Sequence, residues 1–200
     1  MIAVIAALAS TLALLGCGGG PGAKSPNAPK FTGLLRYYPL EKGWHWAFFL
    51  RDTSAPSAGL LSVTKVTAFD GHVALLSTGN ELSELRVEKD GIVRVSSGAY
   101  LLKWPIAQGD KWSTSAGASM VVSKVDLEVT VDAGTFDGCV ETVETFRGDE
   151  ARLVTTTYCP DVGPTLLEVH ELAVAPGEVP ASATAKLRSF GPLLDFDGKP

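Results

Sequence analysis

No run of Lys or Arg occurs anywhere in this 200-residue chain, and its formal net charge is −5. That excludes a nucleic-acid partner of the usual kind, which needs a basic stripe or patch. Histidine is scarce. His45, His72 and His170 fall in three different predicted strands or turns, with none at metal-ligand spacing. The local signatures of catalysis are missing too: there is no GxSxG, HExxH, P-loop or dinucleotide glycine pattern. Asp132, Asp137 and Asp149 lie near turns, where Asp commonly bonds to its own backbone, so a calcium site is not expected of them. The reading is a non-enzymatic chain with no cofactor and no metal. Helical periodicity is also scarce, and that absence points to the fold.

What is present reads as β structure. Hydrophobic residues make up 46% and charged residues 20%, an ordinary globular balance, while 21 Gly and 12 Pro supply turns between short strands. Val125, Leu127, Val129 and Val131 alternate with Asp126, Glu128 and Thr130, the pattern of a strand with one wet face. TKVTAFDGHVALL predicts a hairpin with a two-residue Asp70-Gly71 turn, pairing Ala68 with Val73 and Val66 with Leu75. For ELRVEKDGIVRVS, a three-residue Lys89-Asp90-Gly91 loop pairs Val87 with Val93 and Leu85 with Val95, keeping the apolar residues on one face. Further strands are expected at 46–51, 101–104, 121–125, 140–146, 153–158, 166–172 and 185–190. The fold class is all-β: about ten strands in a meandering antiparallel sheet with little helix. A sheet of that size curls, so a curved sheet, half-barrel or barrel is expected.

The first sixteen residues are different. Ile2 to Leu15 are almost wholly apolar, a run about the length of a signal-peptide core and shorter than the ~20 residues a spanning helix needs. The run ends in Leu14-Leu15-Gly16-Cys17 and then Gly18-Gly19-Gly20. This resembles a bacterial lipobox, although no Lys or Arg precedes the apolar stretch. The resemblance implies that residues 1–16 are removed and that Cys17 carries lipid as the membrane anchor. Several buried acyl chains anchor a protein stably, at ~0.8 kcal/mol per CH₂. Residues 17–30, rich in Gly and Pro, read as a flexible tether, and 31–200 as a single β-rich domain. In such lipoproteins Asp after the Cys favours inner-membrane retention; Gly18 stands there, so the outer membrane, facing the periplasm, is expected.

An exported chain meets an oxidising compartment, where paired thiols become disulfides. With Cys17 lipidated, Cys139 and Cys159 remain, and they have one possible pairing. Cys139 starts one predicted strand and Cys159 ends another of similar length, so a crosslink near the open ends of the pair is geometrically easy. Closing about 20 residues is worth on the order of 3 kcal/mol.

One short phrase occurs twice. YPLEKGWHW (38–46) and WPIAQGDKW (104–112) share an aromatic, then Pro, an aliphatic, Gly and Trp at fixed spacing. Pro39, Gly43 and Trp46 thus match Pro105, Gly109 and Trp112. Pro marks a strand end, Gly supplies a positive φ for a turn, and the Trp starts the next strand. Two equivalent corners of one sheet are expected, with both Trp rings mostly buried. The competing reading is a pair of aromatic ligand-gripping corners, with Trp44 and Trp46 making one grip.

With VTVDAGTFDGCVETVE and YCPDVGPTLLE following in order, residues 37–172 resemble a group of uncharacterised bacterial lipoproteins and secreted β-rich domains. Their pattern is PLxxGxxW, then AGTFxxC, then PxVG. Here Pro164 follows Val162-Gly163, and Cys159 stands where the group usually has a small residue, which supports its pairing with Cys139. The resemblance implies fold and location, and no activity. The functional expectation is a membrane-anchored envelope lipoprotein whose domain binds a protein or cell-wall partner. The alternatives are a carrier or sensor of an apolar ligand in the concave face and, last, a hydrolase.

Overall fold

The computed structural model describes residues 31–52, 59–114, 117–148, 151–172 and 180–193. Twelve strands form one antiparallel sheet that curls into a nearly closed barrel. After a short 3₁₀ turn at Gly33–Arg36 come β1 (Trp44–Asp52), β2 (Gly59–Phe69), β3 (Val73–Thr78), β4 (Glu81–Glu88), β5 (Gly91–Arg94) and β6 (Ala99–Lys103). The second half is β7 (Lys111–Ser113), β8 (Ser119–Val131), β9 (Gly134–Phe146), β10 (Arg152–Cys159), β11 (Gly163–Glu171) and β12 (Ser182–Pro192).

Each strand pairs with its neighbour in sequence within each half, and β1 pairs with β12 to join the halves. The strand order β6-β5-β4-β3-β2-β1-β12-β11-β10-β9-β8-β7 therefore leaves β6 and β7 as the sheet edges. The repeated phrase opens each six-strand half, immediately before β1 and before β7. Across the open seam the Trp112 indole donates to the Tyr100 carbonyl at 2.9 Å, a side-chain bridge where the other seam has a ladder.

The core lies on the concave side. Trp46, Val66, Ile92, Leu102 and Leu187 are fully buried there, with Leu40, Leu76 and Leu85 beside them. The expected strand at 121–125 and the alternating run up to Val131 prove to be one strand, β8. It pairs with β9 irregularly between Lys124 and Leu127, and the hairpin bends there. Its tight turn returns to the barrel: Ala133 N–H bonds the Leu187 carbonyl at 3.0 Å.

Two hairpin registers differ from expectation. At β2–β3, the Asp70 carboxylate accepts from the His72 and Val73 amides at 2.8 and 2.7 Å. The loop is thereby wider, Phe69 pairs with Ala74, and Val66 pairs with Leu76 across a bulge. Ala74 and Leu76 face the core and Leu75 faces solvent, because a one-residue slip exchanges the faces of a strand. At β4–β5 the turn is the two residues Lys89-Asp90, so Val87 pairs with Ile92 and Leu85 with Arg94. Ile92 and Val93 are both buried, so alternation could not set that register.

Candidate functional site

The expected disulfide is present. Cys139 and Cys159 are bonded, with Cα atoms 4.2 Å apart. Val140 pairs with Tyr158, so the two cysteines stand opposite one another at the open end of the β9–β10 hairpin. Both are fully buried. Cys17, the expected lipid site, lies outside the described residues.

The two copies of the phrase are the same backbone device. Gly43 and Gly109 both have φ of +89°. Their amides bond the carbonyls of Val66 and Val122, each at 2.8 Å and each on the strand next to the one the corner opens. In both copies the closing Trp donates its indole N–H to a backbone carbonyl: Trp46 to Val162 at 2.7 Å, Trp112 to Tyr100 at 2.9 Å. The corner reading holds for the backbone.

The side chains of the two corners have opposite fates. At the first, Pro39, Leu40 and Trp46 are buried, and the β10–β11 turn lies directly on them. Gly163 there has φ of +99°, and a Cβ on it would stand 2.6 Å from the Trp46 indole nitrogen. Tyr38 packs edge-on against Trp46, with ring centres 5.4 Å apart, and tilted against Tyr158 at 5.9 Å. Desolvation among these rings pushes the Tyr38 phenol up to about 12, and raises Tyr158 as well. Burial disfavours the charged form of a phenol, so both stay neutral well above the usual range.

At the second corner no turn among the described residues takes that place. Trp104 is 48% exposed, Pro105 is exposed, and Trp112 is half-buried instead of mostly buried as expected. The physical reason is that β7 has three residues and a ladder partner on one side only. A Trp on a short edge strand keeps part of its ring in water.

Beside Trp104 lies a half-open groove of about 390 Å³, lined by Gly33, Arg36, Tyr37, Trp104, Pro105, Ile106, Val125, Asp126 and Val140. That is at the low end of the ~300–1,000 Å³ common for small-molecule sites. The groove sits where the 3₁₀ turn, the second corner and the bend in β8 meet. Arg36 is held by Asp161 at 3.1 Å, and the hydrogen bond it donates to that carboxylate raises the guanidinium above its ordinary value. Tyr37 donates its hydroxyl to the Gly138 carbonyl at 3.4 Å. Asp126 has φ of +53°, one of two non-glycine residues with positive φ among the described residues. It occupies the stretch between Lys124 and Leu127 that has no partner on β9. A bulge of this kind re-aims a side chain, and here it places Asp126 on the groove wall.

Among the described residues no group of His, Cys, Asp and Glu is arranged to hold a metal ion. Trp104 was in plain view in the sequence as the aromatic before Pro105. Arg36 carried no signal, and Asp126 read as an ordinary outward residue of a regular strand, since alternation does not reveal a bulge.

No protein-family model matches the chain, and no curated protein matches it. One solved structure is similar: a protein provisionally described as a lipoprotein from Parabacteroides distasonis ATCC 8503. It is 14% identical, with a TM-score of 0.42, over 77% of this chain and 97% of that one. A likeness that distant leaves function undecided.

Proposed function

We propose that the protein is a lipid-anchored bacterial envelope protein whose barrel domain binds a partner without catalysing a reaction. The observation that carries the anchor is Leu14-Leu15-Gly16-Cys17 at the end of an apolar run and ahead of a Gly/Pro-rich tether. With Gly18 after the Cys, the outer membrane facing the periplasm is the destination. The buried Cys139–Cys159 bond suits an oxidising compartment. The order of the PLxxGxxW, AGTFxxC and PxVG motifs places the chain beside uncharacterised lipoproteins and secreted domains of the same pattern.

A binding role for the domain is supported by the Trp104 groove, an exposed indole at the lip of a cleft walled by charged and apolar groups. The concave side, where an apolar ligand would be carried, is occupied by Trp46, Ile92, Leu102 and Leu187. Replacing Cys17 tests the anchor. Cys17→Ala should move the protein from the detergent phase to the aqueous phase on partitioning of whole-cell extracts. A variant that still partitions with membrane lipids would refute the lipid site.

A further inference from the structure

We infer that the groove beside Trp104 is a binding site for a neutral carbohydrate chain. The inference rests on the partner-binding reading and names the chemistry of that partner. Its starting point is the difference between the two copies of the phrase. In the first copy the aromatic before Pro, Tyr38, is packed against Trp46 and Tyr158. In the second copy the same position holds Trp104, a larger ring that packs under no turn among the described residues and is 48% exposed.

The walls of the groove select the ligand. An indole face offers a flat apolar surface with a negative quadrupole, which suits the polarised C–H face of a pyranose ring. Lining the same groove, the Asp126 carboxylate forms no ion pair or hydrogen bond among the described residues and is free to accept from hydroxyl donors. Its positive φ, which Asp tolerates better than most residues, turns it out of the regular strand alternation at the bulge. Arg36 donates from the third wall, but Asp161 already balances its charge. Arg36, Asp161 and Asp126 together leave no positive excess, in a chain of net charge −5. A phosphate or a polyanionic glycan is therefore disfavoured.

A peptide is the competing occupant, and the backbone argues against it. Peptides commonly bind by adding a strand to a free edge. Around this groove the Trp104 amide is engaged with the Asp90 carbonyl, the Arg36 carbonyl with the Asp161 amide, and the Tyr37 amide with the Leu34 carbonyl, while the stretch of β8 without a partner on β9, Val125 and Asp126, is too short to seat an added strand. Recognition falls to side chains, and these side chains match alternating C–H faces and hydroxyls.

The test is isothermal titration of the full lipid-anchored protein in detergent micelles with chitotetraose, cellotetraose and maltotetraose. At least one should bind, Trp104→Ala should weaken it about tenfold or more, as for a central aromatic contact, and Asp126→Asn should weaken it several-fold. Circular dichroism must show both variants folded; Trp104→Phe, which keeps a flat ring, should restore part of the affinity. Binding by none of the three glycans, or binding that Trp104→Ala leaves unchanged, overturns the inference. A photo-crosslinking residue at position 104 separates the two layers of argument. If it captures a polypeptide while no glycan binds, the carbohydrate assignment is wrong and the contact face stands. If it captures nothing and no glycan binds, both are wrong.

Discussion

The two corners begin as one phrase and end as two environments. At the first, a turn from the other half of the sheet closes over Pro39, Leu40 and Trp46, and the phrase becomes core. At the second, the same backbone, with the same φ of +89° at its glycine, lies at the edge of the sheet. The difference teaches that a repeated motif prescribes a backbone path, while the burial of its side chains depends on what packs above. At the first corner the cover is the β10–β11 turn, beside a full β1–β12 ladder; at the open seam the Trp112 indole bond spans the gap, with no β6–β7 ladder among the described residues.

The largest expected effect that sharpens this contrast comes from truncating the two closing tryptophans. Trp46→Ala should cost about 3–5 kcal/mol, the range for a large ring lost from a core, and Trp112→Ala about 1–2 kcal/mol. Denaturant titration of both variants measures the gap. Equal losses would mean that the second corner is as much a part of the core as the first.

A smaller contrast concerns the glycines. Gly163→Ala adds a Cβ 2.6 Å from the Trp46 indole at a positive φ, whereas Gly109→Ala meets nothing within 4 Å and carries only the backbone strain. The first should lose roughly 2–4 kcal/mol by overpacking plus strain, and the second about 1 kcal/mol. Melting curves decide it, and matching shifts would show that the covering turn yields easily.

The smallest effect is expected at Trp104. Trp104 is 48% exposed, so truncating it should cost less than Trp112→Ala does, about 1 kcal/mol or less. A larger loss in the same denaturant titration would make Trp104 a structural residue and remove the contrast on which its binding role rests.

Particular residues show where sequence reading succeeds and where it fails. The disulfide was legible because, with Cys17 read as the lipid site, Cys139 and Cys159 had one possible pairing, and the strands that hold them pair as their lengths suggested. Gly43 and Gly109 were legible because a turn of that kind needs a positive φ. The β2–β3 register was not, since the Asp70 side chain captured two amides and widened the loop. Arg36 enters the groove only through Asp161, far along the chain, and nothing local announces that ion pair.

By itself, then, the sequence determined the all-β class, the two corners and the crosslink, because each follows from local stereochemistry or from the small number of possible partners. Only the tertiary structure decided which corner is buried and where Asp126 points. Both depend on contacts between segments distant in the chain: β12 on β1, the β10–β11 turn on Trp46, and the bend of β8 against the second corner. Burial belongs to the assembled sheet, and a nearly closed barrel treats its closed seam and its open seam differently even when the chain writes them alike.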